Sequence, residues 1–360
     1  MTMTRKQMFV RCLTVSAGIA LCMLSLEAAP KKVVRIIQSN SAGDNVDIID
    51  PVTNKVVGQI KGIEVNHGVA AAPDGTKIYV SDEAASTLDV ADAKTFEVFK
   101  RIPLSGHPNN ITVTPNGAKL YVAIVQAPGG VDVIDTSTLT VIKTIRTSGG
   151  IHNPYVTPDG RFVLAGSIQS KSVSVIDTET DKIAWTIQLD RGIRPMTMST
   201  NPDGSTKFIF VQMSDFNGFA VVDFATHKEI KRLQNPDLPP GRLPVPVGAT
   251  QDHPGESQQG GSDASHGMAV TPDQKTLIVN SRLNDAVYLY SLPDVKPTGT
   301  IFLTGKGAAW ITLTPDGKTA YVANAVTNDV SVVDLKAMKE VARIPVGFVP
   351  KRNATGVLEE

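Results

Sequence analysis

One eleven-residue phrase returns along this chain and limits its fold more than any other feature. It reads TPDGKTAYVAN at residues 314–324, APDGTKIYVSD at 72–82, TPNGAKLYVAI at 114–124, TPDGRFVLAGS at 157–167, NPDGSTKFIFV at 201–211 and TPDQKTLIVNS at 271–281. Its prolines, Pro73, Pro115, Pro158, Pro202, Pro272 and Pro315, are spaced by 42, 43, 44, 70 and 43 residues. A fixed period of this size marks a repeat architecture, in which each unit buries its apolar surface against the next. Within a unit, Pro-Asp-Gly is a tight turn: proline presets its own φ, aspartate bonds the local backbone and glycine tolerates positive φ. A β-branched or aromatic run follows, such as Lys119-Leu120-Tyr121-Val122. Next comes an alternating segment: NVDIID, TLDVAD, GVDVID, SVSVID, GFAVVD, AVYLYS and DVSVVD in successive units. Alternation of this length predicts a strand with one buried face. A fourth strand, such as KEVARIPV, ends the unit, and no stretch outside the N-terminal segment keeps a helical period.

The alternating segment occurs seven times but the proline turn only six. The chain enters its first unit at the second strand, KKVVRIIQS (31–39), and the missing first strand is available at the other end, in KRNATGVL (351–358). Four strands per unit, arranged radially, make a β-propeller blade. The expected fold is therefore all-β: a seven-bladed β-propeller of four-stranded blades, closed by the C-terminal strand completing blade one, as a single domain over 29–360. Closure removes the exposed edges of an open array. A period of 42–44 residues is too long for the coils of a β-solenoid.

Tyr321-Val322-Ala323-Asn324, followed by Val330-Ser331-Val332-Val333-Asp334, resembles the repeat of the YVTN-family β-propellers, and the likeness runs through nearly the whole chain after the N-terminal segment. That family looks related to the haem d1-binding propeller of nitrite reductases. The resemblance implies an extracytoplasmic seven-bladed propeller and carries over no active-site residue.

Residues 1–28 read as a secretory signal peptide. Arg5, Lys6 and Arg11 precede an apolar run over 12–26 that ends in small residues at Ala28 and Ala29. The run is shorter than the roughly 20 residues a spanning helix needs. The mature protein is expected to begin near Ala29 or Pro30 and to be periplasmic or secreted. Both cysteines, Cys12 and Cys22, fall inside this segment, so no disulfide staples the exported chain. The chain holds 35 basic and 35 acidic residues, and a near-neutral balance gives no global case for nucleic acid or an anionic membrane. HExxH, GxSxG and CxxC in the mature chain are all missing, and GTIFLTGKG (299–307) lacks the spacing and hydroxyl of a phosphate loop. The aspartates that end the alternating strands, such as Asp135, Asp177 and Asp334, are expected to cap turns.

Two departures from the repeat point to a functional face. The 70-residue spacing reflects an insertion at about 234–265, rich in proline and glycine, which reads as a long loop between blades five and six. The second is the placement of histidine. His67, His152 and His266 each stand six residues before a turn proline, at the start of the innermost strands of blades two, four and six. Equal offset predicts equal height and facing around the axis. Three imidazoles there could hold a transition metal ion. His107, Asn109, Asn110, Asn153, Arg194 and Trp310 fall nearby on other blades, and His253 lies in the insertion; together they would form a polar mouth for a small ligand. His227 falls elsewhere. The leading reading is an exported binding module, expected as a monomer, that captures a small molecule, cofactor or protein at the channel face. The alternative is a metal-dependent enzyme using the histidine cluster.

Overall fold

The turns come first, because they set the blades. In this computed structural model, which describes residues 31–244 and 264–360, the N–H of the turn glycine reaches back to the residue before the proline. Gly75 donates to Ala72, Gly117 to Thr114, Gly160 to Thr157, Gly204 to Asn201 and Gly317 to Thr314. The aspartate carboxylate accepts the N–H two residues on: Thr76 to Asp74, Arg161 to Asp159 and Lys318 to Asp316. In blade six, Gln274 takes the glycine position at φ +59° and accepts the Thr200 N–H of blade five with its side chain, 2.9 Å away. Glycine serves a second purpose in three of these turns. A Cβ at Gly117, Gly160 or Gly317 would stand 3.4, 3.2 or 2.8 Å from Cδ of Pro73, Pro115 or Pro272 in the preceding blade. In these three blades the repeat phrase packs onto the one before it.

The strands between these turns form seven antiparallel four-stranded sheets. Six contain consecutive strands. The seventh joins the chain ends: the last strand, Pro350–Glu359, pairs with the first, Lys32–Asn40, from Lys32↔Glu359 to Asn40↔Pro350. The protein is a seven-bladed β-propeller closed by its C-terminal strand. Among the described residues, an apolar cluster fills every junction between neighbouring blades, including that between blades seven and one, where Tyr321, Val330, Val332 and Ile344 meet Ile36 and Ile49.

The third strands differ from the one-faced expectation. In Asn45–Asp50, Val46, Asp47, Ile48 and Ile49 are all buried, because a blade is covered on both sides. The polar members of the alternation bond across junctions instead of facing water. Asp47 accepts the Gly347 N–H, and Asp132 accepts both the N–H and hydroxyl of Ser105. The aspartates ending these strands cap turns: Asp135 accepts the N–H of Ser137 and Thr138, and Asp334 that of Ala337. The sequence-predicted signal segment and residues 245–263 of the insertion, with His253, lie outside the described residues. Among the described residues, no helix is long and apolar enough to cross a membrane.

Candidate functional site

Four of the innermost strands are irregular at one common height. The first residue of each pairs with the end of the second strand: Asn66↔Asp82, Pro108↔Ile124, Ala308↔Asn324 and Pro350↔Asn40. Register then shifts within the next residues of each. Such bulges re-aim side chains, and they are common next to binding sites. The residue that follows the first pair is His67 in blade two, Asn109 in blade three and Lys351 in blade one. Lys351 therefore takes the place of His67, and Arg352 that of Gly68.

The result is a buried polar ring on the axis. His67, His152 and His266 are buried, as are Asn109, Asn110, Asn153 and four cations, Arg194, Arg282, Lys351 and Arg352. Arg194 Nε donates to Ser214 Oγ at 2.9 Å. Arg352 lies over the Trp310 ring at 4.9 Å, and its Nη2 donates to Asn153 Oδ1 at 3.1 Å. The Asn153 amide nitrogen is 2.6 Å from His152 Nδ1. His266 Nδ1 is 2.5 Å from the Ala309 carbonyl, and His67 Nδ1 is 2.8 Å from Glu83 Oε2. A carbonyl oxygen only accepts, so His266 Nδ1 carries the proton, and the carboxylate beside His67 Nδ1 favours the same tautomer there.

Burial and neighbouring cations keep two of these rings, His67 and His152, neutral. Burial pushes His67 down to about 3; Lys351 and Arg352 add to the fall, and the bond to Glu83 opposes it. Burial likewise holds His152 well below its ordinary value, reinforced by Arg352 and Arg194.

The structure brings some of the sequence-predicted residues together and separates others. His152 and His266 meet edge to face, with ring centroids 6.0 Å apart. His67 is engaged by Glu83, and among the described residues no three His, Cys, Asp or Glu side chains are grouped so as to hold a metal ion. The strand that closes the ring brings Lys351 and Arg352 to this height, where both act on His67 and His152. Trp310 is no open platform, since Arg352 covers it and His266 packs 5.5 Å away. Asn109 Oδ1 is buried with no hydrogen-bond partner among the described residues. His107 is exposed at the rim, its N–H bonded to Gln126. His227 stacks on Trp185 at 4.4 Å, away from this ring.

Sequence reasoning passed over Glu83, Arg282, Lys351 and Arg352. A signal for the first two was present: each stands ten residues after its turn proline, directly beyond the second strand. Lys351 and Arg352 precede no proline turn, so offset counting could not find them.

Comparison with known proteins agrees with the fold. A family profile described as "Lactonase, 7-bladed beta-propeller" matches residues 240–354, a minor part of the chain. No curated protein matches. Among solved structures, Kuenenia stuttgartiensis hydrazine synthase is similar at TM-score 0.70 and 21% identity, covering 88% of this chain and 99% of that one. The periplasmic gluconolactonase PpgL of Pseudomonas aeruginosa is similar at 0.68 and 16%, covering 89% and 99%. The dihydro-haem d1 dehydrogenase NirN is similar at 0.62 and 15%, covering 89% and 74%. At these identities the likeness speaks for the propeller fold alone.

Proposed function

We propose that the protein is an exported binding module that takes a small carboxylate-bearing anion at the axial ring. The observation that carries this is the burial of Arg194, Arg282, Lys351 and Arg352, each less than 5% exposed, at one end of the axis. Four cationic side chains gathered at one height favour an anion there and can offer it charge-assisted hydrogen bonds. The orphaned Asn109 oxygen and the neutral imidazoles add hydrogen-bonding groups that would orient such a ligand. Periplasmic or secreted residence follows from the N-terminal segment and is in keeping with the periplasmic neighbour PpgL.

Calorimetric titration with acetate, succinate and citrate, beside neutral analogues, tests this. Binding should favour the anions, weaken with salt and fall about tenfold or more in Arg352→Ala, the usual scale for losing a hydrogen bond to a charged group. Equal affinity for neutral analogues, or indifference to Arg352→Ala, would overturn it.

The His67–Glu83 pair and the partial lactonase match favour a second reading, hydrolysis of a lactone. Glu83 would orient the imidazole that takes the proton of an attacking water, while a cation would steady the developing oxyanion. A histidine held at about 3 is a weak base, which places this reading second. Acid release from added lactones, lost in Glu83→Gln, would promote it.

A further inference from the structure

The contacts of Asn153 determine which ring nitrogen of His152 carries its proton. A guanidinium has only donors, so Arg352 Nη2, 3.1 Å from the Asn153 side chain, must meet its oxygen. The NH2 of the same amide then faces His152 Nδ1 at 2.6 Å. An NH2 group donates, so Nδ1 must offer a lone pair, and a neutral ring then carries its proton on Nε2. The other two rings are set the opposite way, by the Glu83 carboxylate and the Ala309 carbonyl. His152 and Asn153 are both buried.

We propose that Asn153 is a positioning residue which, oriented by Arg352, locks His152 as the imidazole of the three whose Nε2–H donates to a bound anion. The assignment rests on the anion-binding reading for its ligand, but not for the proton position, which is a property of the ligand-free protein. It also supplies a chemical reason why His67, His152 and His266 are not an equivalent metal-binding triad. Ligation through His152 Nε2 would move the proton to Nδ1 and turn the amide's NH2 group toward Arg352, cation against donor. Asn153 thus tunes the site for an acceptor-bearing ligand and against a metal ion.

The test is two-bond 1H–15N correlation spectroscopy on the full chain with 15N-labelled histidine, without ligand, at neutral pH. His152 should show a protonated Nε2 and a bare Nδ1, while His67 and His266 show the reverse. Asn153→Asp, nearly the same shape, offers only acceptors to both neighbours, so the His152 pattern alone should invert. Acetate is then titrated as the probe. In the parent protein it should shift the His152 Nε2 signal saturably, and Asn153→Ala should weaken it about tenfold, the scale of one lost bond to a charged group. A protonated Nδ1 on His152 in the parent protein overturns the proposal outright, whatever the variants do. An unchanged pattern in a folded Asn153→Asp protein overturns the role of Asn153. The predicted pattern without any acetate response leaves the proton assignment standing and overturns the donor role together with the anion reading.

Discussion

His67 and His152 are buried beside cations, and acid is where that arrangement becomes visible. In the unfolded chain each ring protonates near its ordinary value of about 6.5. In the folded chain His67 resists protonation down to about 3, and His152 lies well below its usual range. Between those limits the unfolded state binds more protons, so stability is fullest above pH 6.5 and falls as pH drops toward 3. The slope reaches about 1.4 kcal/mol per pH unit for each such ring. Urea unfolding at pH 7.0, 5.5 and 4.5 should show this loss, and His67→Gln should flatten it; equal slopes in both proteins would contradict the assignment. Side chains at this scale were partly legible in advance. The three histidines announced the ring because they share one offset from a turn proline. Lys351 and Arg352 did not, because their register is defined by pairing with Lys32–Asn40, more than three hundred residues away in sequence.

At the scale of the element, strands and turns were nearly all readable, since period-two patterning and turn chemistry are local. The facing of the third strands was not. Asp47 and Asp132 look like solvent-side residues in an alternating strand, and only the neighbouring blade shows their partners. The turns give a direct comparison of two local costs. Gly204 and Gly317 both have positive φ, +85° and +67°, but a Cβ at Gly204 meets nothing within 4 Å while one at Gly317 stands 2.8 Å from Pro272. Gly204→Ala should cost about 1–2 kcal/mol, the left-handed penalty alone. Gly317→Ala should cost clearly more, read as the difference in urea midpoint. Equal losses would mean that the proline contact relaxes freely.

At the scale of the molecule, the ring depends on Pro350–Glu359. A chain ending at Val349 would expose the edge of Lys32–Asn40 and uncover the apolar junctions on both sides of blade one. It should unfold at markedly lower urea, with a shallower transition, and lose the anion binding proposed for the full chain. A truncated protein that keeps a sharp transition and its affinity would show that closure and site are separable. Seven-fold closure was legible from a simple mismatch between seven alternating segments and six turns. The ring was legible only in part, because half of its cations arrive on the closing strand, whose register is set by the other end of the chain.

Lys351 and Arg352 are added by the ribosome after every blade from two to seven has been made. Every other member of the axial ring is synthesised before them, yet the ring lacks half of its buried cations until they arrive. A chain cut short before them therefore has histidines, asparagines, a tryptophan and only Arg194 and Arg282 with which to hold the proposed anion. On the proposed function, occupancy of the axis would certify that the closing strand Pro350–Glu359 has been made and has docked.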